Sequence, residues 1–171
     1  MVILKKHKYP LDDHGFTLIE LLVVIAIFGI LMSVIIANLS QSKSKSRDNK
    51  RVSDLQALQL GLELYYDKNR GYPTTLDGLV TPSKEFVHEI PAPPLGGAYI
   101  YATTGSGASC SGYHLGAVME NDSRLLSDDA DQTMRTICTG SAPDFHGNAT
   151  NCSGGTPAGT DLCYDVKERR Y

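Results

Sequence analysis

One carboxylate stands in an otherwise unbroken apolar run. Glu20 follows Gly15-Phe16-Thr17-Leu18-Ile19, and no further charge appears until Lys43. A charge in such a setting costs roughly 2.5–3.5 kcal/mol at mid-membrane on insertion scales, and marks a functional residue whose partner should be a cation. The other residues with chemical potential lie far downstream. Cys110, Cys138, Cys152 and Cys163 form an even set, and Asp128, Asp129, Asp131, Asp161 and Asp165 are acidic groups among them. The five histidines, at 7, 14, 88, 114 and 146, are scattered. No H-E-x-x-H, phosphate-binding glycine loop or G-x-S-x-G motif is present, so the residues point to a structural chain rather than an enzyme.

The elements that would place Glu20 are legible. Residues 1–15 form a short polar leader with Lys5, Lys6 and Lys8, then Asp12, Asp13 and His14. A secretory signal carries its apolar core before the cut; here the apolar run follows Gly15. Residues 16–42 are long enough to cross a hydrocarbon core of about 30 Å as a helix. Beyond them, Val52, Leu55, Leu58, Leu62 and Tyr65 recur at steps of three and four, which predicts an amphipathic continuation. Gly71 and Pro73 stop it. A break near Ser40–Ser46, where serine and lysine alternate, is the alternative to one helix.

The net charge of −3 gives no electrostatic reason to expect nucleic acid as a partner. Basic residues alone would leave the C-terminal side in the cytoplasm, because Lys43, Lys45, Arg47, Lys50 and Arg51 outnumber the leader lysines. The cysteines argue for an oxidising compartment instead, and we weigh them more heavily.

Gly15 followed by Phe16-Thr17-Leu18-Ile19-Glu20 and the apolar run resembles the processing site and N-terminal helix of the type IV pilin superfamily. Leu64-Tyr65-Tyr66-Asp67-Lys68-Asn69, Gly71-Tyr72-Pro73-Thr74-Thr75 and Gly78-Leu79-Val80 extend the likeness. With Pro91, Pro94, Gly96, Tyr99 and Tyr101, it reaches the major pseudopilins of type II secretion over residues 15–118. The resemblance implies cleavage after Gly15 by a prepilin peptidase that also methylates Phe16. It implies assembly in which Glu20 meets the N-terminal amine of a neighbouring copy. That amine would be largely cationic at neutral pH. At about 4 Å, an ion pair is worth roughly 4 kcal/mol gross at an effective dielectric of 20.

The expected fold is α+β and pilin-like. A long helix over about 16–69 packs its C-terminal half on a small antiparallel sheet, followed by a disulfide-tied C-terminal loop. The domains expected are a leader at 1–15, a transmembrane and assembly helix at 16–42, and a periplasmic globular domain at 43–171. Candidate strands are Ala98–Ala102, Tyr113–Val118 and Thr133–Cys138, with 139–160 an irregular loop. Three cysteine pairings are possible; Cys110–Cys138 with Cys152–Cys163 is favoured, the second closing a short loop in the glycine-rich tail. The resemblance makes Asp161 and Asp165 calcium candidates, by carboxylate chemistry that suits that ion. Partners would be the peptidase, other copies, minor pseudopilins and an inner-membrane assembly platform. A type IV pilus subunit for adhesion, motility or DNA uptake, or a membrane-anchored envelope protein that never polymerises, are the competing functions.

Overall fold

The computed structural model describes residues 15–80, 82, 85–155 and 159–168; within the long helix, the side chains of 34, 37 and 38 are not among those described. The leader expected at 1–15 therefore lies outside the described residues apart from Gly15. The order of elements is α1 (Leu18–Asn69), β1 (Ile100–Ser106), β2 (Ser109–Val118) and β3 (Cys163–Lys167), with short 3-10 turns at Leu76–Leu79 and Arg124–Ser127. The chain separates into two compact units, one ending at Gln41 and the other beginning at Ser42.

The first unit is helical from Leu18 onward. Every large apolar side chain described between Phe16 and Leu39 is exposed, from 42% at Val24 to 83% at Phe16. Among the described residues, no helix is long and apolar enough to cross a membrane. The span expected at 16–42 includes the side chains of 34, 37 and 38, which lie outside those described. The helix assignment continues through Ser40–Ser46 without the considered break.

In the second unit the amphipathic stretch behaves as its spacing predicts. Leu55, Leu58 and Leu62 are fully buried against Tyr72, Tyr99, Tyr101, Tyr113 and Leu115. Arg70, at φ +58°, stops the helix in the left-handed region while its N–H donates to the Tyr66 carbonyl at 2.7 Å. That is the usual means of satisfying a terminal carbonyl, although glycine is the commoner residue there.

The sheet is antiparallel in the order β1-β2-β3, with Ile100 opposite Gly116 and Val118 opposite Cys163. Two strand expectations are corrected. Thr133–Cys138 is no strand: it makes one isolated bridge, Ile137 to Thr104, beside the bulge at Thr104/Gly105. The third strand is Cys163–Lys167, where none was expected. The first strand begins two residues later than predicted, at Ile100.

A charged clamp fixes α1 to the end of β2. Buried Asp48 accepts from Glu120 N at 2.9 Å, Asn121 Nδ2 at 2.7 Å and Arg51 Nη1 at 2.7 Å. Arg51 also donates to Glu120 Oε1 at 2.8 Å, and Arg47 Nε donates to the same oxygen at 2.8 Å. The hydrogen bond from Arg47 is the main reason Glu120 is held down at about 2, with Arg51 adding to it. A carboxylate lowered in this way contributes stability that is present above its unfolded pKa and lost as pH falls toward the folded one. The melting temperature should therefore fall between about pH 5 and pH 2, and Glu120→Gln should flatten that fall. Thermal denaturation of both chains across this range checks it; parallel profiles would remove Glu120 from the account.

Candidate functional site

Two places gather the residues singled out above. At the N-terminus, Thr17 and Glu20 close a reciprocal cap. Thr17 N and Oγ1 donate to Glu20 Oε2 at 3.0 and 2.7 Å, and Glu20 N donates to Thr17 Oγ1 at 3.3 Å. The first helical bond runs from Leu21 N to the Thr17 carbonyl at 3.3 Å. This is a capping box, in which two orphan donors at a helix start are satisfied by one Thr–Glu pair. Its signal, Thr-x-x-Glu before an apolar run, stands in the sequence at 17–20, where Glu20 reads first as a charge awaiting an outside partner. Gly15 and Phe16 precede the cap, both exposed.

The second place is the face of β2 turned away from α1. His114 is fully buried there, with Nδ1 2.7 Å from Asp144 Oδ1 and Nε2 2.7 Å from Asp165 Oδ2. Its ring stacks on Phe145 at 3.7 Å between centroids. Burial works against the imidazolium, but the hydrogen bonds and charges of the two carboxylates outweigh it and raise the His114 pKa. Asp144, which burial alone would raise, is lowered by His114 and by the Arg135 and Phe145 amides. The carboxylates also hold backbone. Asp144 Oδ2 accepts from Arg135 N at 2.7 Å, and Asp165 accepts from Asp131 N at 2.9 Å and Gln132 N at 3.0 Å. Sequence reasoning leaves His114 and Asp144 aside, because only the fold brings positions 114, 144 and 165 together.

Two disulfides tie the loops to strands β2 and β3. Cys110 pairs with Cys138, Cα atoms 5.4 Å apart, and Cys152 pairs with Cys163, 4.9 Å apart. Phe145, Cys152 and Cys163 form a second small core with Ile100 packed on it. One carboxylate oxygen each from Asp129, Asp131 and Asp165 lie within 4.8 Å of one another. Asp161 is outside that group; its Oδ1 accepts from Cys163 N at 2.9 Å. Asp129 Oδ2 accepts from Asp165 N at 3.1 Å, while Asp129 Oδ1 is buried with no hydrogen-bond partner. Burial first, then the charges of Asp165, Asp131 and Asp161, push Asp129 up to about 8.

The capped, apolar N-terminal helix, followed in the chain by an α+β unit, defines a pilin-like subunit. The prokaryotic N-terminal methylation motif matches residues 11–36. The chain is 38% identical to type II secretion system core protein G of Klebsiella michiganensis over 108 aligned positions, covering 55% of this chain and 76% of the relative. It is 35% identical to the protein of the same name from Vibrio cholerae over 116 positions, covering 60% and 80%. The Aeromonas hydrophila protein of that name is 49% identical over 65 positions, covering 38% and 46%. No solved structure matches. The chain belongs to the type II secretion system core protein G family, the major pseudopilins, and is a structural subunit processed through its methylation motif by prepilin peptidase.

Removing one partner of a buried, hydrogen-bonded ion pair leaves the others uncompensated and costs about 3–5 kcal/mol. His114→Ala should destabilise the protein by about that much in urea denaturation at neutral pH. A loss below about 1 kcal/mol, the range of an exposed pair, would show that Asp144 and Asp165 do not depend on it.

Proposed function

We propose that this pseudopilin is cut between Gly15 and Phe16, methylated at Phe16, and polymerised through residues 16–42 into a periplasmic pseudopilus that supports protein secretion. Before assembly it is held in the inner membrane as a single-pass protein with its C-terminal domain in the periplasm. Its partners are the peptidase, other copies, minor pseudopilins and an inner-membrane assembly platform. The observation that carries this reading is the apolar surface between Phe16 and Leu39, exposed all round. A helix apolar on every side needs lipid or other helices around it.

Glu20 has a part in both states. In the single chain its carboxylate is occupied by Thr17, which reduces the number of unsatisfied groups taken into an apolar setting. Cleavage after Gly15 places a new amine one residue before the capping threonine, so an incoming amine competes with a bond already made. Glu20→Ala should leave cleavage and membrane insertion intact and lower filament yield at least about tenfold, a loss of about 1.4 kcal/mol or more per contact. Shearing and sedimentation of filaments, with a blot for the processed band, measures both. Wild-type yield from the variant would remove the register role.

A second reading rests on Asp129 Oδ1. A buried carboxylate oxygen without a donor, beside two more carboxylates, suits a hard cation such as calcium. Asp129, Asp131 and Asp165 would hold it, with Asp161 near by electrostatics alone. Calcium would neutralise the mutual repulsion of these groups and tie the 128–132 turn to β3. Titration calorimetry should show calcium binding that Asp129→Asn weakens at least about tenfold, with a higher melting temperature only in the wild-type chain. No heat and no shift would dismiss the ion.

A further inference from the structure

Charge is unevenly distributed in the second unit. Residues 43–51 hold five basic groups and one acid, Asp48. Arg47, Lys50 and Arg51 are engaged by Glu120, Asp54 and Asp48. Lys43 and Lys45 are exposed and form no ion pair among the described residues. Further along, a groove of about 700 Å³ opens between α1 and β3, with Gln56, Gln59 and Leu60 on the helix side and Tyr164 and Val166 on the strand side. Its charged lining is Glu63, Asp128, Asp129, Asp165 and Glu168 against the base Lys167. Asp165 is held by His114, Glu168 by Arg135, and Asp129 sits with Asp131 and Asp165, so Glu63 and Asp128 are the acids left to meet a cation. Leu60 is 62% exposed on its helical wall, a large apolar side chain with nothing over it in the single chain.

We infer that this acidic groove receives the Lys43–Lys45 turn of a second copy. The inference rests on the filament reading above and specifies a contact within it. Lys43 and Gln59 are sixteen residues apart on one helix, about 24 Å along its axis, so the lysines cannot reach the groove of their own chain. Two unlike patches on one unit make a head-to-tail contact. Unless such a contact closes into a ring, it propagates as an open helical filament. Electrostatic complementarity of this kind sets register and suppresses wrong pairings, because like charges brought together repel. Asp128 is the best-placed acid to take a lysine: it is exposed at the groove rim and lies outside the Asp129–Asp131–Asp165 group.

The test uses the full chain in cells that carry the assembly machinery. Zero-length carbodiimide coupling of sheared wild-type filaments should join Lys43 or Lys45 of one copy to Asp128 or Glu63 of another, identified by mass spectrometry of linked peptides. Reversing the turn (Lys43→Glu with Lys45→Glu), or the groove (Gln56→Lys with Asp128→Lys), should lower filament yield about tenfold. Combining the two reversals should restore it to within about twofold of wild type. All four substitutions are at exposed positions, and unchanged melting temperatures would show that the variants fold. Absence of these linked peptides from intact filaments overturns the inference, as does a combined variant no better than the single reversals. So does normal filament yield from the lysine variant with loss of its binding to phosphatidylglycerol vesicles, which would assign the lysines to lipid. A wild-type chain that forms no filament at all would instead sink the polymerisation reading, and this inference with it.

Discussion

Strand β2 is buried on both faces over most of its length, and the globular unit is arranged around that constraint. Tyr113, Leu115 and Ala117 point to α1 and join the core made by Leu55, Leu58 and Leu62. Between them, His114 and Gly116 point the other way, into a layer with little regular structure. That layer must cover a sheet face without a helix or second sheet, and its backbone must find partners without a ladder. Two disulfides restrain it, and side chains supply the acceptors. Asp144 and Asp165 each accept backbone N–H groups from the 131–135 segment as well as a nitrogen of His114. Gly116 belongs to the same solution: a Cβ there would stand 2.7 Å from the Phe145 ring and 3.3 Å from Cys152 Sγ. Even an alanine would displace the ring that stacks on His114.

Periodicity made the helix legible, because a single side of α1 is buried in the second unit and one step pattern describes it. Gly71 and Pro73 marked its end to within two residues of Asn69. The strands were harder. β2 lacks apolar–polar alternation since both of its faces are covered, and Tyr113–Val118 was recognisable only as a β-rich run that falls short of the true start at Ser109. Thr133–Cys138 has strand-like residues, yet tertiary demand overrides them. Asp144 and Asp165 take the N–H groups of residues 131, 132 and 135, and the segment is left one bridge to β1. β3 was hidden because Cys163-Tyr164-Asp165-Val166-Lys167 follows a glycine-rich loop and has an acid in its centre. Asp165 tolerates that position only because His114 and two amides meet it, an arrangement spread over fifty residues of sequence.

Glu20 shows the same limit from the other side. Its type and position were legible; its partner in the single chain was not, although the capping spacing was in view. The two partnerships differ in strength and in setting. A cap contributes about 1 kcal/mol. An amine at about 4 Å contributes roughly 4 kcal/mol gross at an effective dielectric of 20, and about 1 in bulk water. Desolvating the amine offsets part of the larger figure. In water, then, the cap and the ion pair are nearly matched, and Thr17 holds its carboxylate. The balance turns toward the amine only where water is excluded and the amine is already adjacent. In the proposed filament, packing of apolar helices would create both conditions together, so a switch of partner would follow the seating of a subunit rather than precede it. In the proposed assembly Glu20 would discriminate between a correctly seated copy and a misplaced one: in the wrong register no amine would be near, and the helix would keep its cap.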